Sequence, residues 1–264
     1  MTGTDLVTTD QTSTEIAALA KRYRAAGGIG IQILNVIGGQ AENLLERLPE
    51  KVKDRLEAAT STALELAMNA ASGSRGVVPD QRGWLNTALA TAMGAAGGAG
   101  GLPTALAELP VTTTVLLRAI QGVAADHGFD PNDPEIRREC IAVFAAAGPL
   151  ASDDGSDMGF LSARVTLTGA TVHGLIAKVS PRLATVMGQK LAAQTVPLLG
   201  AAAGAATNYA YTSYYQQMAQ VQFGILKLSQ DTGRDREALV AELRDTEQCQ
   251  NNATGAKLHI LARE

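Results

Sequence analysis

Pro197-Leu198-Leu199-Gly200-Ala201-Ala202-Ala203-Gly204-Ala205-Ala206 and, earlier, Met93-Gly94-Ala95-Ala96-Gly97-Gly98-Ala99-Gly100-Gly101 consist almost wholly of small apolar residues. They are the centres of two charge-free segments, Leu191 to Leu226 and Gly83 to Ala107. Small residues four apart, as in Gly94/Gly98, Gly97/Gly101 and Gly200/Gly204, let helix backbones approach closely. A bilayer span needs roughly 20 predominantly apolar residues in one run. The first segment is interrupted at Gly100-Gly101 and Pro103. The second contains Pro197 and a series of polar side chains, Gln194, Thr195, Thr207, Asn208, Ser213, Gln216, Gln217, Gln220 and Gln222, that would be costly in lipid. The segments therefore read as two proline-broken helical hairpins that meet inside a helical domain. Stable transmembrane helices are not expected.

Outward from these segments, the rest of the chain is helical in pattern. Thr12 and Glu15 have capping-box spacing, and Ile16, Leu19, Ala20 and Tyr23 share one face of a first helix. Gly27-Gly28 is expected to interrupt it, with a second apolar helix from Ile29 to Leu48. From Pro49 to Ser72, Val52, Leu56, Ala63, Leu66, Ala67 and Ala70 form an apolar face, while Lys51, Lys53, Asp54, Arg55 and Glu57 solvate the other. Pro103 opens a helix that Pro110 should kink. Asp133-Pro134-Glu135 is a start signal: an N-cap, a proline at the first helical position, then an acid at the positive dipole end. Its helix should end at Gly148-Pro149, and Ser180-Pro181 should open another. Asn208 to Ser229 and Arg234 to Thr246 complete the set, and Val165 to Ile176 has enough Val and Thr to support a strand. The fold class is all-α, a single compact multi-helix domain over 13–246, with a flexible stretch at 1–12 and a poorly ordered tail at 247–264.

Composition excludes several functions. Among 264 residues, 46% are apolar but only 4% aromatic, so Ala, Leu, Val and Ile must fill the core. A net charge of −4 without Lys/Arg clusters interleaved with aromatics argues against nucleic-acid binding. Cys140 and Cys249, with histidines only at 127, 173 and 259, do not make a metal cluster and are expected to be reduced. No cofactor is implied. The N-terminus lacks a basic region followed by an apolar run, so no secretory signal is expected, and a cytoplasmic location follows. Charge sign is uneven: residues 158–230 contain no Asp or Glu but include Arg164, Lys178, Arg182, Lys190 and Lys227. Such a half suits an anionic membrane surface, or else it is mostly buried and tolerates few charges of either sign.

Gly101-Leu102-Pro103-Thr104-Ala105-Leu106-Ala107-Glu108-Leu109-Pro110-Val111-Thr112-Thr113-Thr114-Val115-Leu116-Leu117-Arg118 resembles the hallmark of the EcsC family. Asp133-Pro134-Glu135 with Cys140-Ile141-Ala142-Val143-Phe144, then Ala193-Gln194-Thr195-Val196-Pro197-Leu198-Leu199-Gly200, then Gly204-Ala205-Ala206-Thr207-Asn208-Tyr209, resemble its further motifs in the same order. The resemblance covers about Leu44 to Ser229. It implies a bacterial, predominantly helical accessory, cytosolic or peripheral to the inner face of the cell membrane, alongside a transporter. It supplies no catalytic residues.

Within that hallmark, Glu108 and Arg118 are charges among apolar neighbours. Glu108 could bind a polar head group or act as an acid/base if burial raises its pKa; alternatively it caps or pairs locally while Arg118 marks a solvated face. Thr112-Thr113-Thr114 could line a polar wall or bond back to their own helix carbonyls. Asn208 lies in the last motif, and Tyr209, Tyr211, Tyr214 and Tyr215 form the one aromatic cluster. Such rings suit a ligand, partner or membrane boundary, or ordinary helix packing. His173, among Val172, Leu175 and Ile176, reads as a core histidine. Asp153 to Asp157 lacks calcium-loop spacing, the Gly94–Gly101 run follows no strand, and no Gly-x-Ser-x-Gly elbow occurs. Three functions follow: a membrane-peripheral accessory contacting anionic lipid or a membrane transporter, a carrier of a lipid- or isoprenoid-like apolar small molecule, or an enzyme acting on one through Glu108. Whether the protein is an enzyme, and its oligomeric state, stay open.

Overall fold

The computed structural model describes residues 3–36, 46, 48–74, 109–146, 161, 171–194 and 200–261. Its helices are α1 (Gly3–Val36), α2 (Glu50–Ser74), α3 (Leu109–Asp126), α4 (Pro134–Ala142) with a 3-10 turn at Val143–Ala145, α5 (Val172–Gln194), α6 (Gly200–Thr232) and α7 (Arg236–Leu261). No strand occurs among the described residues, so the chain is all-α. The first Gly/Ala segment, Gly83 to Ala107, lies outside the described residues, as do 195–199 in the second. Residues 191–194 of the second segment end α5, and from Gly200 it continues in α6, which packs against α1, α3, α5, α7 and the 3-10 turn. It is the central helix.

Local chemistry accounts for most starts and stops. Asp133 caps α4, its Oδ1 accepting the backbone N–H of Glu135 at 2.6 Å and of Ile136 at 3.4 Å, with Pro134 in the first turn. Thr171 Oγ1 accepts the Gly174 N–H at 3.1 Å at the start of α5. Gly128 (φ 84°) and Gly233 (φ 66°) follow α3 and α6 in the left-handed conformation that lets the chain turn away. Ile16, Leu19, Ala20 and Tyr23 are buried on one face of α1, as their spacing requires.

Three expectations are corrected. Gly27-Gly28 does not break α1, which continues to Val36; each glycine costs about 1 kcal/mol of helix propensity, within reach of packing against α6. Ser180-Pro181 does not open a helix: α5 begins at Val172 and Pro181 lies inside it, so Val172 to Ile176 is helical. Ala177, whose carbonyl loses its donor at Pro181, is exposed to water, and Ser180 Oγ donates to the Ile176 carbonyl at 2.6 Å. On α2, Leu66 and Ala70 face outward, while Thr60, Leu64 and Met68 are buried with Leu56, Ala63 and Ala67. The reason is that α2 is covered on two flanks, by α3 and by α5, which rotates its buried stripe.

The core is aromatic where it can be. Phe144 on the 3-10 turn meets Tyr215 edge-on at 5.2 Å, and Tyr215 meets Tyr214 at 5.3 Å. Phe223 stacks obliquely with Phe129 at 5.7 Å and lies near His127 at 6.5 Å. Such pairs add about 0.5–1.5 kcal/mol each beyond burial of the rings. Cys140 is buried and Cys249 exposed, and neither is in a disulfide.

Candidate functional site

Glu108 lies outside the described residues, immediately before α3. The three threonines that follow divide. Thr113 Oγ1 and Thr114 Oγ1 donate to the Leu109 and Pro110 carbonyls, both at 2.7 Å, the back-bonding expected of helical threonines. Thr112 instead accepts from the Lys190 ammonium at 3.5 Å across the α3–α5 interface. Lys190 is buried, at 1% exposure, in the interval whose sparse charge suits either a membrane surface or burial. It lies among Met187, Gly188 and Leu191 in the sequence. Arg118 is half-buried and bonded within the fold.

The four tyrosines separate by depth. Tyr211, Tyr214 and Tyr215 are buried with Asn208 on the inner side of α6, and Tyr209 is 51% exposed. Burial raises the Tyr211 phenol well above its usual range. It does the same for Tyr215, reinforced by Tyr214 and Tyr211 and opposed by Arg182. Among the described residues neither hydroxyl has a hydrogen-bond partner, and the Thr207 hydroxyl one turn before Tyr211 is in the same state. These residues share one stripe of α6, since 207, 211 and 215 are successive turns of one face.

A second polar group, half-buried, escaped sequence reading. Glu139 on α4 accepts Arg236 Nη1 at 2.7 Å and Nη2 at 3.1 Å, a bidentate pair, and Gln222 Nε2 at 2.5 Å. It ties α4, α6 and α7 together over a separation of 97 residues between the charged partners. No local spacing announces such a pair. Among the described residues no group of three or more His, Cys, Asp or Glu is arranged to hold a metal.

Two surface features could meet a ligand or a partner. The first is the outer face of α5, where His173, Gly174, Ala177, Lys178, Pro181, Arg182 and Thr185 are exposed. α5 contains no carboxylate. His173 is a surface residue, not a core one: its side chain is 81% exposed and its Nδ1 lies 3.0 Å from Glu65 on α2. Lys227, another member of the basic interval, is paired with Asp231 at 2.7 Å. Lys178 and Arg182, one turn apart, are both exposed on this face, and Arg182 also acts on the buried Tyr215 phenol. Leu66, 52% exposed beside Glu65, adds an apolar side chain near its start.

The second feature is a cleft of about 440 Å³, open to solvent, between α2 and the first turn of α3. Arg55, Ala58, Ala59, Thr62 and Ala63 form its α2 wall, and Leu109 and Pro110 close it. Those five α2 positions follow the i, i+3, i+4, i+7, i+8 spacing of a single helical face. Arg55 was read as part of a solvated face, and nothing in its own spacing marks it as the edge of a cleft. Proline in the first turn of α3 is tolerated because its missing N–H falls among the donors left unpaired there.

No described helix is long and apolar enough to cross a membrane. No curated protein and no solved structure matches the chain. The sequence pattern of the EcsC protein family does match it, over residues 32–225. The match includes the cleft, the cationic face of α5 and most of α6; most of α1 and all of α7 lie beyond it.

Proposed function

The chain belongs to the EcsC family, and on that premise we propose that it is a membrane-peripheral accessory protein that docks on anionic lipid through the outer face of α5. The observation that carries this reading is a helix exposed along one side that presents Lys178 and Arg182 and contains no carboxylate. An anionic bilayer surface attracts such residues by about 1 kcal/mol each, and the attraction falls off within a Debye length. Two cations give a weak, salt-sensitive, reversible association, which suits an accessory and not an anchor. Exposed Leu66 would add apolar contact at the interface.

Flotation with vesicles of anionic and of purely zwitterionic lipid tests this reading. The protein is expected to float with the anionic vesicles at low salt and to be released at high salt. Failure to float at low salt would remove the reading.

A further inference from the structure

We propose that the α2–α3 cleft is a binding site for a single-chain amphiphile with an anionic head, carboxylate or phosphate. Five α2 side chains in one helical stripe line it, and three are alanines, so this wall is mostly small and apolar. Ala63 and Leu109 are its buried apolar lining. Arg55 stands at the opposite end of the α2 stripe, two turns from Thr62 and roughly 12 Å along the helix axis from Ala63. Among the described residues the Arg55 guanidinium has no carboxylate partner, whereas Lys53, on the same helix, pairs with Glu50 at 2.8 Å. An apolar furrow with one cation at its outer end is complementary to an alkyl chain that carries one anionic group.

Size separates this occupant from a protein partner. The volume of about 440 Å³ falls within the roughly 300–1,000 Å³ of small-molecule sites. A stable protein interface would need about 800 Å² on each side, well beyond a cleft of about 440 Å³ lined, among the described residues, by seven side chains. A bare anion would not need the alanine-lined wall, and a neutral alkane would not need Arg55. The site is separate from the α5 face, so its test stands apart from vesicle binding.

Calorimetric titration of the full chain with dodecanoate and with dodecyl phosphate, both held below micelle formation, tests the assignment. At least one of the two should bind saturably with one molecule per chain, and the tighter identifies the head group. Arg55→Gln should weaken binding about tenfold, and Ala58→Trp, which fills the furrow from an exposed position, should abolish it. Both variants should keep the parent melting temperature and parent flotation with anionic vesicles. The proposal is overturned by any of three results: no saturable binding to the parent, equal binding to both variants, or inorganic phosphate or dodecanol binding as tightly as the charged amphiphile.

Discussion

Tyr211 and Tyr215 set two phenol hydroxyls in the interior with no hydrogen-bond partner among the described residues, and that has a measurable consequence at high pH. Burial raises both phenols, so the folded chain keeps their protons where the unfolded chain, with ordinary phenols near 10, loses them. The unfolded state then binds fewer protons than the native state, and stability falls as pH rises above about 10, by roughly 1.4 kcal/mol per pH unit for each tyrosine. Phenolate absorbance should show these two tyrosines ionising only as the protein unfolds, and Tyr211→Phe with Tyr215→Phe should flatten the alkaline loss of stability. Ionisation of all five tyrosines in the folded state would refute their burial. Glu139 is the opposite case, a half-buried charge whose two oxygens both accept hydrogen bonds. Glu139→Ala strands the Arg236 guanidinium, at 6% side-chain exposure, and should cost about 3–5 kcal/mol in chemical denaturation. The two cases also differ in legibility. The tyrosine cluster is visible in the sequence as four rings within seven positions, whereas the Glu139–Arg236 pair arises from packing between distant helices and leaves no local trace.

At the scale of the element, α1 docks on the central helix at one close approach. A Cβ on Gly224 would come within 2.6 Å of Leu19 Cδ2, so glycine there makes room for the leucine. Gly224→Ala gains up to about 1 kcal/mol of helix propensity but forces Leu19 from its place, at a typical cost of about 1–3 kcal/mol. The substitution should therefore be neutral to destabilising in the parent and stabilising in a Leu19→Ala background, measured by denaturant midpoints. Additive effects would show that the two helices do not meet there. Helices with strong local signals were readable: the four-residue apolar face of α1 and the Asp133 cap of α4 both stand as their spacing indicates. Glycine and proline misled. Gly27-Gly28 and Pro181 break helices in isolation, yet tertiary packing continues α1 through the first and exposure of Ala177 tolerates the second. The sparse charge of residues 158–230 left membrane contact and burial both open, and for Lys190 the partner that accompanies burial, Thr112 on α3, is distant in sequence.

For the whole molecule, the uneven charge seen in the sequence resolves into three parts. Lys190 turns inward, Lys227 is paired with Asp231, and Lys178 and Arg182 stay on the outer face of α5. The positive field proposed to meet the membrane thus contracts from a half of the chain to one helix, with the amphiphile cleft on the neighbouring α2. The measurement that tests this most directly is sedimentation with anionic vesicles at low salt, comparing the parent chain with Lys178→Glu/Arg182→Glu. Both substitutions lie at exposed positions and should leave the melting temperature within a few degrees of the parent. The account predicts that the parent sediments with the vesicles and the double variant stays in solution. Equal sedimentation of the two, or none of the parent, would contradict it.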